Sequence, residues 1–161
     1  MLKLSLLEVF LRALPESFLV IFAVYAFSKT VINVKRYIIS SILYVISLYL
    51  IRSLPIQYGV HTILNIIMII VLTANINKIV IIKSIQASIM ALILLFICEG
   101  INMIIIKYIF KVNVINILSN TSEKILDGIP SLVIFAATVF TYYFYLARRK
   151  KLNEVINGEI I

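Results

Sequence analysis

Long apolar runs divide this chain, and the polar stretches between them carry most of its Lys and Arg. Tyr37–Leu54 lies between Lys35-Arg36 and Pro55, with Arg52 close to its end. Ile56–Thr73 holds no charge and has its most apolar part at Ile63–Leu72. Ser84–Ile106 carries Glu99 well inside, and Ile129–Leu146 is again uncharged. Each run approaches the roughly 20 residues that a helix needs to cross about 30 Å of hydrocarbon. The first apolar region is ambiguous. Leu2–Leu14 is interrupted by Lys3, Ser5, Glu8 and Arg12, after which Pro15-Glu16 opens a run that closes at Lys29. Either one long helix begins near Leu4 and kinks at Pro15, or an interfacial helix precedes a span running to about Ile32. The second reading puts Pro15 in a first turn, where its missing N–H is tolerated.

This pattern predicts an all-α fold, a polytopic transmembrane helix bundle. Five spans fall at about 13–32, 37–54, 56–73, 84–106 and 129–146, so residues 1–147 form one membrane domain and 148–161 a short basic tail. Ala74–Lys83 reads as a connector and Lys107–Asp127 as the longest loop. Within that loop Asn120-Thr121-Ser122-Glu123 has the form of a helix cap, and Gly128 reads as a break before Pro130.

Composition narrows the class. Of 161 residues, 63% are hydrophobic and 14% charged, against about 45–50% and about 25% in soluble domains. A soluble enzyme domain and a disordered regulator are excluded. One Cys, Cys98, cannot form an internal disulfide. The net charge of +8 reads as a topology signal rather than a nucleic-acid patch. The cluster Arg148-Arg149-Lys150-Lys151 follows an aromatic belt, Tyr142-Tyr143-Phe144-Tyr145, as a cytoplasmic interface selects. With five spans the N-terminus is then outside and the C-terminus inside. Nine of the fifteen cations fall on inner segments and six on outer ones, a bias in the expected direction. The location implied is the cell membrane, crossed several times.

Polar residues inside spans are costly in lipid and therefore informative. Projected on this topology, Glu16, Arg52, Gln57, His61, Asn65, Glu99 and Asn102 all fall in the outer half. Gln57, His61 and Asn65 are four apart and share a helix face, as do Glu99 and Asn102, three apart. Gly100 between those two reads as a point of close helix approach. Glu8, Arg12 and Glu16 are also four apart and form a ladder if the helix is continuous. Ser40, Tyr44 and Ser47 line one face of the second span. The inner half carries little beyond Ser and Thr, so no polar route crosses both leaflets, as a channel or carrier would need. The seven outer residues are either an externally open pocket for a peptide or small ligand, or polar contacts that hold the helices together.

Catalytic signatures are missing. His61 and Cys98 lie 37 residues apart on different spans, without the local spacing of membrane cysteine proteases. No HExxH, GxSxG or P-loop occurs. No catalytic residue, metal or cofactor is expected.

Three patches carry a resemblance: Leu14-Pro15-Glu16-Ser17-Phe18-Leu19, Leu54-Pro55-Ile56-Gln57-Tyr58-Gly59-Val60-His61 onward to Ile67, and Cys98-Glu99-Gly100-Ile101-Asn102. In order and hydropathy they resemble the N-terminal membrane region of accessory-gene-regulator-type sensor histidine kinases of Gram-positive bacteria, over about residues 10–150. Members of that family continue into a phospho-accepting His helix and an ATP-binding domain. Here ten residues follow Lys151 and the one His is in the third span, so the resemblance implies either a separate sensor-like protein without autophosphorylation or the membrane part of a larger one. The expected function is a non-catalytic membrane sensor or regulatory module. Its candidate partners are the lipid bilayer, a second copy, a signalling protein and an extracellular peptide, with no nucleic acid. The alternative is a small membrane subunit of a transporter, capturing substrate and docking on an ATPase complex.

Overall fold

A computed structural model describes residues 13–54, 58–109, 121–150, 152, 155–156 and 159–160. Five α-helices make up the bundle: α1 Leu14–Ser28, α2 Val34–Ser53, α3 Tyr58–Asn75, α4 Ile81–Ile109 and α5 Thr121–Arg148. The expected all-helical architecture is present. Three helical stretches, Val34–Ser53, Ile81–Ile105 and Ile129–Arg148, are long and apolar enough to cross a membrane. α1 and α3 are shorter apolar helices, with 15 and 18 residues and lengths of about 22 and 27 Å at 1.5 Å per residue.

The shortest helix is the most enclosed. α1 is apolar on nearly all sides, as a helix surrounded by others must be, and Val20 through Ala26 are all buried. It packs most extensively on α4 and also on α2 and α5, while α2–α3, α3–α4 and α4–α5 pack in sequence around it. On α4 the buried face begins with small side chains, Ser84, Ala87, Ser88 and Ala91. Small residues let helix backbones approach closely where no hydrophobic force drives them together. From Phe18 to Phe27 α1 meets α2 and α5 through rings. Phe22 packs on Phe140 at 4.7 Å and Tyr143 at 5.2 Å, and Phe18 meets Tyr37 edge-on at 5.7 Å. Tyr37 also donates its hydroxyl hydrogen to the Phe18 carbonyl at 2.9 Å.

The outward faces are apolar. Ile39, Ile42, Ile46 and Leu50 on α2, Ile89, Ile93 and Ile97 on α4, and Val133 and Phe144 on α5 are exposed. So continuous an apolar surface suits a lipid surround, not water. Hydroxyls within these helices are satisfied locally. Ser41 donates to the Tyr37 carbonyl, Ser47 to Leu43, Ser88 to Ser84 and Thr141 to Ala137. This is the internal pairing that a hydrocarbon environment demands.

The helix ends follow local chemistry. α1 carries Pro15 in its first turn. Ala13 before it already has right-handed helical angles and accepts the Ser17 hydroxyl at 2.6 Å. The proposed helix from Leu4 and the Glu8–Arg12 steps of the ladder lie outside the described residues. α2 is capped by Asn33, whose Oδ1 accepts from the Arg36 N–H. It stops at Leu54, whose extended angles are those a residue before proline prefers.

Three lysines, Lys29, Lys78 and Lys150, hold positive φ of 56°, 58° and 52°. Each follows a helix end at the basic face. After α1 the Lys29 N–H bonds the Ala26 carbonyl and the Thr30 N–H bonds the Tyr25 carbonyl at 3.1 Å, the paired closure of a Schellman motif. Glycine usually fills the left-handed position, but a cation there complements the negative end of the helix dipole. Lys29 already carries the left-handed cost, so Lys29→Val is expected to add crowding from branching at Cβ and to lose the favourable charge at the helix end, together about 1 kcal/mol. Lys29→Gly is expected to be nearly neutral, because relief of strain offsets the lost charge. Thermal melts of the two variants check this.

Three expectations on boundaries are corrected. α4 begins at Ile81 rather than Ser84, and the connector shortens accordingly. The region read as loop up to Asp127 is helical from Thr121 onward, and Gly128 is no break: α5 runs through it and through Pro130. The apolar pattern marked only where lipid-compatible sequence starts, while the helix begins at the Thr-Ser-Glu signal, about 12 Å earlier at 1.5 Å per residue. In the tail, Val155–Ile156 pairs antiparallel with Glu159–Ile160.

Candidate polar cluster at the outer helix ends

Glu16 and Arg52 arrive at one end of the bundle from opposite chain directions. Glu16 sits in the first turn of α1, where a carboxylate meets the positive end of the helix dipole, and Arg52 in the last turn of α2, where a cation meets the negative end. Each is thus placed favourably by its own helix. Tyr44, buried on the inward face of α2, lies within electrostatic reach of both charges. Sequence reasoning placed Tyr44 on a face with Ser40 and Ser47 and missed it as a member of this site. The signal available was its spacing of eight residues from Arg52, about two turns along one face.

Glu16 is only 9% exposed, whereas Glu99 is half-buried. The more enclosed acid is therefore Glu16, although Glu99 lies deeper within its apolar run. Both take part in interactions, as do Asn102 and Ser131. Asn102 shares the inward face of α4 with buried Cys98, four residues earlier, while Glu99 sits beside that face. Gly100 is exposed, and a Cβ added there meets nothing within 4 Å. The expected close helix approach at Gly100 does not occur, because the small-residue contact of α4 lies at the other end of the helix.

His61 and Asn65 are half-buried one turn apart on α3. His61 Nδ1 and Asn65 Oδ1 are both shielded from solvent and have no hydrogen-bond partner. Shielded polar atoms without partners cost about 1–3 kcal/mol each, so this stripe holds unused hydrogen-bonding capacity. Gln57, expected on the same stripe, lies outside the described residues. Glu16 and Arg52 both act electrostatically on Tyr44; the α3 pair and the α4 pair share their half of the bundle by register. Among the described residues no group of three His, Cys, Asp or Glu is placed to hold a metal ion.

The inner half is less plain than its sequence implied. Thr73 and Ser84 share a hydroxyl–hydroxyl hydrogen bond between α3 and α4, and the Ile79 N–H closes the connector onto the Thr73 carbonyl at 3.2 Å. Buried Asn77 uses neither its amide nitrogen nor its oxygen, and buried Tyr25 leaves its hydroxyl unpaired. Neither was expected to matter.

No protein-family model, curated protein or solved structure matches this chain.

Proposed function

We propose that this chain is a non-catalytic sensor or regulatory module of the cell membrane, crossing it five times with the N-terminus outside and the C-terminus inside. An extracellular peptide or small polar ligand engages the outer cluster. The observation that carries this reading is a pair of shielded, unpartnered atoms, His61 Nδ1 and Asn65 Oδ1, on α3, with Glu16 in the first turn of α1 and Arg52 in the last turn of α2. Charges of both signs and open hydrogen-bonding groups suit a polar ligand better than lipid. The resemblance of the Pro15-Glu16-Ser17, Gly59-Val60-His61 and Cys98-Glu99 patches to accessory-gene-regulator-type sensor regions supports the same reading.

A ligand biases such a bundle only by binding two packings unequally. α1 is the element both ends share: Glu16 opens it, and Phe18 to Phe27 carry the aromatic contacts to α2 and α5. A shift of α1 therefore reaches the basic inner ends of its neighbours.

Affinity purification of the tagged full chain from its own membranes tests the assignment. Recovery of a kinase or response regulator supports it, and recovery of an ATPase complex supports the transporter-subunit alternative. Within the sensor reading, His61→Ala and Glu99→Gln are expected to alter the response of the recovered partner to spent culture medium by about tenfold, the effect of one lost polar contact, with expression unchanged. Lost membrane insertion with an intact response would show instead that these residues only join helices.

A further inference from the structure

The five helix ends on the inner side carry charge of one sign. Lys29 follows α1, Lys35 and Arg36 open α2, Lys78 follows α3, Lys83 lies in the first turn of α4, and Arg148 closes α5. The first turns of α2 and α4 hold no acid, so the positive ends of their dipoles add to this face. Glu16 and Glu99, the acids whose side chains the structure describes, belong to the other half. Glu16 stands at the opposite end of α1, and Glu99 lies about 27 Å along α4 from Ile81 at 1.5 Å per residue. Among the described residues no acid neutralises the inner face.

Burial divides these cations into two groups. Lys35 and Lys83 follow Val34 and Ile82, which are 64% and 68% exposed, so they stand on the apolar rim that lipid headgroups reach. Lys29 and Lys78 differ. Lys29 is exposed between buried Ser28 and Thr30, and Lys78 between buried Asn77 and Ile79. α1 is enclosed by its neighbours up to its last turn, where Phe27 packs on Tyr142 at 5.5 Å. Lys29 therefore reaches water only through the middle of the inner face. Both lysines also hold left-handed backbone, with φ of 56° and 58°, where glycine is the usual residue. A topology signal needs a cation near a span end. It does not need one at a position whose backbone favours glycine.

We propose that Lys29 and Lys78 form the centre of a docking face for an acidic segment of a cytoplasmic protein. Lipid headgroups reach the rim of the bundle, whereas a protein surface covers rim and centre together. Clustered cations raise the local concentration of an acidic partner and speed its association. The proposal rests on the inward orientation of this end put forward above and not on the sensor role, because a kinase, a response regulator or an ATPase meets the same face.

The test uses the purified full chain in an uncharged detergent, which leaves this face open whichever way the chain inserts. The probe is a labelled oligoglutamate peptide, read by fluorescence anisotropy. Saturable binding that weakens with added salt is expected. Lys29→Gln and Lys78→Gln are each expected to weaken it about fivefold, the effect of one lost charge contact. Lys35→Gln and Lys83→Gln remove the same charge from the rim and are expected to change the affinity less than about twofold. Lys29→Arg keeps the charge and is expected to bind like the parent, which separates the charge from the fold of the turn. Short-chain phosphatidylglycerol is the competing occupant, and any thermal stabilisation it gives is expected to be the same in Lys29→Gln, Lys78→Gln and the parent. The proposal is overturned if the peptide does not bind, if the rim substitutions weaken binding as much as the central ones, or if Lys29→Arg loses binding as Lys29→Gln does. It is also overturned if Lys29→Gln and Lys78→Gln abolish stabilisation by phosphatidylglycerol, which would assign the centre of the face to lipid.

Discussion

Ala91→Phe is expected to destabilise the bundle by about 3 kcal/mol, the upper part of the usual range for overpacking. Ala91 is completely buried on the α4 face that begins with Ser84, Ala87 and Ser88, and α4 carries the most extensive contact of the enclosed helix α1. A benzyl group there has no cavity to fill, so α1 and α4 must separate. The force holding membrane helices together is close packing rather than transfer from water, which makes separation the costly event. Met90→Phe, one residue away on the exposed face, adds a ring to a surface that already suits lipid and is expected to change stability by less than about 0.5 kcal/mol. Unfolding of both variants in mixed micelles with increasing denaturing detergent gives the comparison. Equal losses at the two positions would mean that the α1–α4 contact is not the one that limits stability.

The helices were legible because long apolar runs bounded by Lys, Arg and Pro have few alternatives. Their ends were less so. Apolar periodicity reports where lipid-compatible residues start, and α5 begins eight residues before that point, at a capping signal that the sequence displayed and the apolar pattern outweighed. The tail offers a similar case: Asn157-Gly158, a strong hairpin dipeptide, lies in sequence between the two paired strands. Burial order was not legible. α1 looks like the weakest span by length and charge, yet its apolar surface on every side is what fits it to the centre. Gly100 shows the converse. A small residue signals close approach only if its face turns inward, and a single sequence does not reveal which face of an apolar helix does so. Tyr44 and Tyr25 escaped notice because a tyrosine in an apolar run looks like packing until its hydroxyl is followed to its neighbours.

Arg52→Glu is expected to cost about 2–4 kcal/mol at neutral pH. The parent arginine interacts favourably with the C-terminal end of α2, worth about 0.3–1 kcal/mol, and it shares the surroundings of buried Tyr44 with the Glu16 carboxylate. The substitution reverses the dipole interaction and sets a second carboxylate in a partly desolvated place already holding one, where like charges cost up to several kcal/mol. Arg52→Gln, which removes the favourable charge without adding a second carboxylate, is expected to cost about 1 kcal/mol, and thermal melts of the two variants check the difference. The exchanged pair Glu16→Arg with Arg52→Glu distinguishes attraction between the two positions from independent effects of each helix end. Both charges then oppose their helix dipoles, yet the pair keeps its opposite signs. A stability loss smaller than the sum of the two single losses shows that Glu16 and Arg52 sense one another. Additive losses would assign each charge to its own helix and would remove the electrostatic core from the proposed ligand site.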